Sequence, residues 1–317
     1  MTDTAPHISV LLSEVLGVLN PQAGEVFVDG TFGAGGYSRA ILAAADCHVY
    51  GIDRDPRAIA IGQKMQKEYA GRFSILEGCY GDMVSLLASV GVSEVDGVAL
   101  DIGVSSMQID EADRGFSFMQ DGPLDMRMGT DGMTAADVVN TEPEEDLVRI
   151  IFRYGDERRA HAVARAIVAR RSEQQFTRTV ELANVIASVV KPTGKGIHPA
   201  TRTFQALRIY VNDELGQLRE GLVAAEKLLR PGGRLAVVSF HSLEDRIAKR
   251  FLAERSNAKG NPSRHLPMEA GQAKPSFELL KRGAIKAGKD EVEGNPRSRS
   301  ARLRGGIRTD APVWRAV

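Results

Sequence analysis

The chain has 317 residues, 43% of them hydrophobic and 26% charged, which are globular proportions and enough chain for one large domain or two. Two cysteines, Cys47 and Cys79, and six scattered histidines exclude a disulfide framework and offer no zinc-ligand spacing, so no metal site is expected. The formal net charge is zero, yet residues 1–150 hold 9 Lys and Arg against 24 Asp and Glu, and residues 151–317 hold 32 against 17; such asymmetry suits a polyanion partner for the second half, or two halves that neutralise each other.

Met1 to Val10 carry neither a basic segment nor a long apolar run, so no signal peptide is expected. No stretch approaches the roughly 20 apolar residues of a membrane helix, and the expectation is a soluble, cytoplasmic protein. A lead-in helix is predicted over residues 7–19. A short apolar strand follows and stops at Asp29, turns through Gly30, Gly33, Gly35 and Gly36, and enters a helix over Tyr37–Ala45. Val49–Asp53 is a second strand. Asp55-Pro56 then reads as an N-cap with proline in the first turn of a helix running to about Tyr69. Phe73–Leu76 is a third strand, a helix spans about Asp82–Val90, and Val95–Asp101 is a fourth strand. Strands alternating with helices at this spacing predict βαβ units and a parallel sheet.

After Asp101 the alternation stops. Residues 103–133 are rich in Gly, Asp and Met and read as a long loop, unusual unless functional. Helical patterns follow at Thr134–Asn140, Glu142–Tyr154, Asp156–Arg171 and Thr179–Val190, with no strand between them. One long helix is predicted over Pro199–Leu229, because Phe204, Leu207, Val211, Leu215, Leu218 and Leu222 recur at steps of three and four. A Leu-Arg-Pro-Gly-Gly run leads into a fifth strand, Arg234–Phe240, and a helix over Ser242–Phe251. Residues 256–275 read as loop, and Phe277–Arg282 with Ser300–Arg308 as a closing pair of edge strands.

The glycine turn is built for close approach of backbone to a ligand, at the N-terminus of a helix. A dinucleotide fingerprint would want a third glycine where Ser38 stands, and Asp29 would repel a pyrophosphate. A cofactor with a cationic amino-acid tail and no phosphate, such as S-adenosylmethionine, would instead welcome Asp29. Asp53, at the end of the second strand, is placed to accept from both ribose hydroxyls. Tyr80 follows the third strand and could cover the adenine, and Asp101 lies across the switch point from the glycine turn.

Several stretches together resemble the bacterial 16S rRNA cytosine-N4 methyltransferase family (RsmH, or MraW). They are His7–Glu14, Asp29–Gly36, Ile52–Pro56, Leu100–Ser106, Arg114–Met128, His198–Gln205, Ser239–Arg246 and Asn295–Ser300, in order over nearly the whole chain. The resemblance implies an α/β class I (Rossmann-like) S-adenosylmethionine-dependent methyltransferase sheet with an all-helical insertion domain after the fourth strand. The methyltransferase domain would comprise residues 1–107 and 200–317, and the insertion, residues 108–199, would recognise the substrate. The implied reaction is methyl transfer to N4 of a cytosine in the decoding region of 16S rRNA, with free rRNA or the small ribosomal subunit as partner; the family pattern is compatible with a homodimer. Carried over by position, the cofactor contacts fall on Gly35, Gly36, Tyr37, Asp53, Tyr80, Asp101 and Gln108. Tyr37 and Tyr80 stand where other members often have His and Phe.

The exocyclic N4 of cytosine is a poor nucleophile, because its lone pair is delocalised into the ring. Acceptors aimed at its hydrogens would position and rehybridise it. The Asp/Asn-Pro-Pro-Tyr/Phe run of many amino-methyltransferases is replaced here by Asp101-Ile102-Gly103-Val104. Asp101 or nearby carbonyls are therefore the candidate acceptors, and Phe116, Phe118 or Phe240 the candidate stacking ring for a splayed-out base. Phe116 and Phe118 read equally as an apolar latch in a lid. His241 is a candidate proton acceptor or base contact, or a structural helix-entry residue. RNA phosphates would meet Arg158, Arg165 and their neighbours in one helix, Arg202, and the basic C-terminal stretch, unless these are solvated faces and local ion pairs. Rival readings are a same-fold methyltransferase of DNA or protein, an idle RNA-binding assembly factor, and, weakest, a nicotinamide dehydrogenase.

Overall fold

A computed structural model of the chain describes residues 9–192, 198–256 and 274–314. The chain divides into two compact units, one of residues 1–103 and 215–317 and the other of residues 104–214.

The first unit is a seven-stranded sheet flanked by helices. In chain order its elements are α1 (Leu12–Leu19), β1 (Val26–Asp29), α2 (Gly36–Ala44), β2 (His48–Asp53), α3 (Pro56–Glu68), β3 (Phe73–Glu77), α4 (Met83–Ser89) and β4 (Val95–Asp101). The strands are buried apolar runs ending on acids, as parallel strands covered on both faces should be. Asp55 caps α3 by accepting from the Arg57 amide at 3.0 Å, with Pro56 in the first turn.

The second unit begins with α5 (Ser106–Asp110) and a 3-10 turn at Ala112–Arg114. Then come α6 (Ala135–Thr141), α7 (Glu144–Gly155), α8 (Ala160–Glu173), α9 (Thr179–Val189) and α10 (Thr201–Val211). Leu147, Ile151, Val163, Ile167, Phe176, Leu182, Ile186 and Leu207 form its core. The long segment expected as loop is held by specific contacts. Asn212 is buried; its side chain donates to the Met126 carbonyl at 2.7 Å and accepts from the Met128 amide at 2.8 Å. The Gly122 amide donates to the Thr179 hydroxyl at 3.1 Å, and Arg114 donates to the Arg127 and Met128 carbonyls. A Cβ on Gly122 would overlap the Ala112 carbonyl, so two turns of this segment touch backbone to backbone.

The helix predicted over Pro199–Leu229 is two helices. Asp213 adopts φ 46°, in the left-handed region, and separates α10 from α11 (Glu214–Leu228). The apolar stripe divides there: Phe204 and Leu207 belong to the helical unit's core, Leu218 and Leu222 to the sheet unit's. The boundary between units therefore falls at 214/215 rather than near residue 200.

The sheet resumes with β5 (Leu229–Ser239), followed by α12 (Ser242–Arg255), β6 (Phe277–Leu279), α13 (Lys289–Gly294) and β7 (Arg302–Arg308). β5 starts five residues earlier than expected: Leu229 pairs with Val95 before the Pro-Gly-Gly run bulges out, and pairing resumes at Arg234 opposite Gly97. The strand order is β3-β2-β1-β4-β5-β7-β6, and β7 alone runs antiparallel to its neighbours. Only β6 of the expected closing pair is an edge strand, because β7 lies between it and β5. Most of the loop expected over residues 256–275 lies outside the described residues.

Candidate active site

The strands bring their carboxyl ends to one edge of the sheet, where an open α/β fold places ligands. At the end of β1 Asp29 is fully buried. Its Oδ2 accepts from the Ser38 hydroxyl at 2.7 Å and the Ser38 amide at 3.2 Å, tying the strand end to the first turn of α2. Its Oδ1 is buried with no hydrogen-bond partner. Burial pushes the Asp29 carboxyl up to about 6; the hydrogen bonds from Ser38 oppose this, and the nearby charge of Asp53 adds to it.

The turn that follows is tightly packed. Gly33 and Gly35 hold φ of 55° and 79°. A Cβ on Gly35 would press into the Phe32 ring at 2.8 Å, and one on Gly36 would overlap the Ser9 hydroxyl, so the segment entering α1 lies against the glycine turn. Tyr37 is buried and donates its hydroxyl to the Val10 carbonyl, a second tie to the same segment. Its phenol is raised far above the ordinary value by burial first and then by the charges of Asp101 and Asp29.

Asp53, at the end of β2, accepts from the Gly33 amide at 2.8 Å through Oδ2 and from the Asp55 amide at 2.9 Å through Oδ1. It thus fixes the glycine turn to the neighbouring strand; burial raises its carboxyl despite these bonds. Tyr80 packs under the site: a Cβ on Gly221 of α11 would overlap its ring, and one on Gly30 would come to 3.2 Å from its Cβ.

Asp101 ends β4 with its amide donating to Thr31 Oγ1 at 2.7 Å. Its Oδ1 is buried and unpaired, and burial, followed by the charges of Asp29 and Glu244, holds its carboxyl well above the usual range. At the end of β5, Phe240 lies over Gly103, where a Cβ would come to 3.3 Å from the ring. His241 is the N-cap residue of α12. The Phe240 and His241 amides donate to Glu244 Oε2 at 2.8 and 3.2 Å, the reach-back half of a capping box. His241 Nε2 lies 2.9 Å from Glu244 Oε1 without the alignment of a hydrogen bond.

The remaining sequence-predicted residues fall in the helical unit. Gln108 is buried and completes a capping box with Ser105, accepting from its amide at 3.0 Å. Phe116 is buried, with the Arg114 guanidinium 5.7 Å from its ring centre. The Phe118 ring lies 4.5 Å from the His198 ring and edge-on to Phe204 at 4.8 Å, an aromatic latch on the helical core. Arg158 and Arg165 are exposed, and Arg202 is 43% exposed with Glu157 at 3.9 Å. Arg171, by contrast, donates to the Val139 and Glu142 carbonyls and so caps α6.

The sheet unit therefore gathers Gly35, Gly36, Tyr37, Asp53, Tyr80, Asp101, Phe240 and His241 along one edge. Thr31, Ser38, Ser9 and Glu244 were not foreseen. Only Glu244 had a readable signal, its place three residues after His241. Among the described residues Asp29, Asp53 and Asp101 have no ion-pair partner. An edge of desolvated carboxylates with unfilled acceptor positions suits a ligand that brings positive charge and hydrogen-bond donors.

A sequence model of the MraW methylase family matches residues 4–307. The chain is 60% identical over 313 residues, 98% of each chain, to the Ribosomal RNA small subunit methyltransferase H of Paramagnetospirillum magneticum. It is 60% identical over 311 residues to the protein of the same name from Parvibaculum lavamentivorans, covering 98% of this chain and 91% of that one. To the one from Rhodospirillum rubrum it is 56% identical over 318 residues, covering 99% and 98%.

Proposed function

The chain belongs to the MraW methylase family, and from that premise we propose that it transfers a methyl group from S-adenosylmethionine to N4 of a cytosine in the decoding region of 16S rRNA. The observation that carries this reading is the pair of buried, unpaired carboxylate oxygens, Asp29 Oδ1 and Asp101 Oδ1, on the adjacent strands β1 and β4. Two desolvated carboxylates side by side are costly alone and are relieved by a cationic ligand rich in donors. A dinucleotide would bring more negative charge to the same edge.

The residues present fit the cofactor. Gly35 and Gly36, with the Gly36 and Tyr37 N–H groups at the start of α2, would form its backbone cradle, Asp53 has lone pairs for ribose hydroxyls, and Tyr80, close to Gly30, would cover the adenine. S-adenosylmethionine, when bound, supplies an electrophilic methyl group. The chain supplies the geometry. Asp101, its amide held by Thr31, offers Oδ1 to a hydrogen of the cytosine amino group, which draws the nitrogen out of conjugation and fixes its direction of attack. Burial raises the Asp101 carboxyl, the direction that makes it a better acceptor for the proton that leaves after methylation. Phe240, beside Gly103, is the ring on this edge available for stacking. His241 orients the start of α12 through Glu244 and is a second candidate contact to the base.

Arg158, Arg165 and Arg202 of the helical unit are the proposed phosphate contacts there, which makes that unit the substrate-recognition part. No described helix is long and apolar enough to cross a membrane, and a cytoplasmic enzyme on ribosomal RNA is the reading that agrees. The test is nucleoside mapping by mass spectrometry of rRNA from cells lacking the protein, beside cells complemented with it. Loss of N4-methylcytidine at one small-subunit position, restored on complementation, is expected. An unchanged level would refute the rRNA assignment.

A further inference from the structure

Outside the carboxylate edge, the sheet unit has a cleft of about 410 Å³ between α12 and the β6–β7 side of the sheet. Six cations line it: Arg246, Lys249, Arg250, Lys281, Arg282 and Arg304. Its floor is apolar, formed by Leu252, Leu279 and Gly305, and no acidic residue lines it among the described residues. The arrangement follows from the sequence. Arg246, Lys249 and Arg250 recur at helical spacing on one face of α12, while Ala248 and Leu252 of the same helix are buried in the core. Lys281 and Arg282 follow the end of β6, and Arg304 projects from β7.

Two of the six charges are matched nearby. Arg304 donates to Asp245 Oδ1 at 2.7 Å, and Arg250 to Glu254 Oε1 at 2.7 Å. Arg246, Lys249, Lys281 and Arg282 are exposed and have no ion-pair partner among the described residues. Four like charges facing one concavity repel each other, and an anion spanning them removes that repulsion. The cations come from three separate elements, so they suit a chain of phosphates better than a single one. Because they line a concave cleft, a flat lipid surface would reach few of them. The apolar floor matches a ribose or an unstacked base.

The position of the cleft points the same way. β6 runs parallel to β1–β5, so Lys281 and Arg282 follow its carboxyl end, on the way to the edge that holds Asp101. In the order β4-β5-β7-β6 the two strands lie three spacings apart across the sheet, about 15 Å. We propose that this cleft binds the phosphodiester backbone of single-stranded RNA flanking the target base, as an anchor separate from the site of methyl transfer. The inference rests on the reading of the substrate as RNA with an unpaired cytosine.

The experiment measures equilibrium binding of a fluorescent single-stranded RNA oligonucleotide containing a cytosine, from about 0.05 to 0.3 M KCl. It compares the wild-type chain with the variant Arg246→Ala, Lys249→Ala, Lys281→Ala, Arg282→Ala. S-adenosylmethionine binding by calorimetry, in both proteins, reports that the sheet unit is intact. Each phosphate that is no longer neutralised lowers the slope of log K against log salt by about 0.7 for a single strand. The expected result is a slope lower by about 1.4 to 2.8, RNA affinity at about 0.15 M salt at least tenfold weaker, and unchanged cofactor affinity. A variant with normal cofactor binding and an unchanged slope overturns the anchor and leaves the RNA reading intact. If the wild type binds cofactor but no RNA, the RNA reading itself fails, and the anchor with it. Vesicles containing phosphatidylglycerol and inorganic phosphate are the competing probes. Cleft-dependent capture of either one in place of RNA also overturns the proposal.

Discussion

Two ends of one sheet edge handle charge in opposite ways. At the β1–β2–β4 end the strands finish on fully buried Asp29 and half-buried Asp53 and Asp101, whose carboxyls are raised by burial. At the β6–β7 end stand Lys281, Arg282 and Arg304, and most cations of that cleft remain solvated. The difference separates two tasks. A buried carboxylate interacts strongly with a small cationic ligand, because no solvent screens it. Exposed cations hold a polyanion loosely and by number, with an affinity that salt controls. An overall net charge of zero hides both.

The contrast between the two ends breaks most readily at Asp101. Its Oδ1 is the unpaired acceptor assigned to the cytosine amino group. Asp101→Asn keeps the shape and replaces one acceptor with a donor. The expected effect is a fall in turnover of about 10²- to 10³-fold, the scale of losing one aimed catalytic hydrogen bond, with cofactor affinity changed less than tenfold. Single-turnover kinetics alongside calorimetry separates the two. Equal losses in both would make Asp101 a binding residue only, and wild-type turnover would remove it from the chemistry.

The carboxylate end was legible in the sequence and the rest of the molecule less so, for a physical reason. Strands ending on Asp29, Asp53 and Asp101 announce themselves because a buried parallel strand is a continuous apolar run, and its last residue is fixed by where the run stops. The break at Asp213 was invisible, because the steps of three and four continue straight through it while the core they face changes. The order in residues 112–128 was invisible too. Its anchors, Asn212 and Thr179, lie more than 50 residues away in sequence, and local pattern carries no such information. Likewise the basic C-terminal stretch read as uniform charge. Only the fold shows that Arg302 and Arg304 are tied to Asp245, whereas Lys281 and Arg282 are not.

A middle-sized effect is expected at Gly36, where the glycine turn meets the segment leading into α1. A Cβ there would overlap the Ser9 hydroxyl. Gly36→Ala should cost about 2 kcal/mol of stability, within the range for overpacking a filled interior. Ser9→Gly should recover much of it in the double variant, because it removes the atom that is struck. Chemical denaturation of the four proteins of this cycle measures the coupling. If Ser9→Gly recovers nothing, the glycine is required by the ligand or by the helix start and not by this contact.

The smallest expected effect is a pH dependence of cofactor affinity that sharpens the contrast between the two ends. Asp29 is raised to about 6 from an ordinary 3.8, with burial the main cause. Its folded value is the higher one, so the folded state holds the proton more tightly than the unfolded state. Protonated Asp29 therefore favours folding, and that contribution is lost as pH rises from about 4 to about 6, a difference of about 3 kcal/mol for a shift of this size. A cationic cofactor has the opposite preference and binds best when Asp29 is charged. Asp101 is raised in the same direction. Affinity for S-adenosylmethionine should thus fall about tenfold between pH 7 and pH 5, as the charged fraction of a group near 6 drops from about nine-tenths to about one-tenth. In Asp29→Asn the fall should be shallower, because Asn still accepts from Ser38 and has no charge to lose. The basic cleft has no carboxylate among its described lining residues, so its RNA affinity should not follow the same curve. Cofactor affinity flat from pH 5 to 7 would mean that the Asp29 carboxylate, and with it the acid that first distinguished this turn from a dinucleotide site, does not sense the ligand.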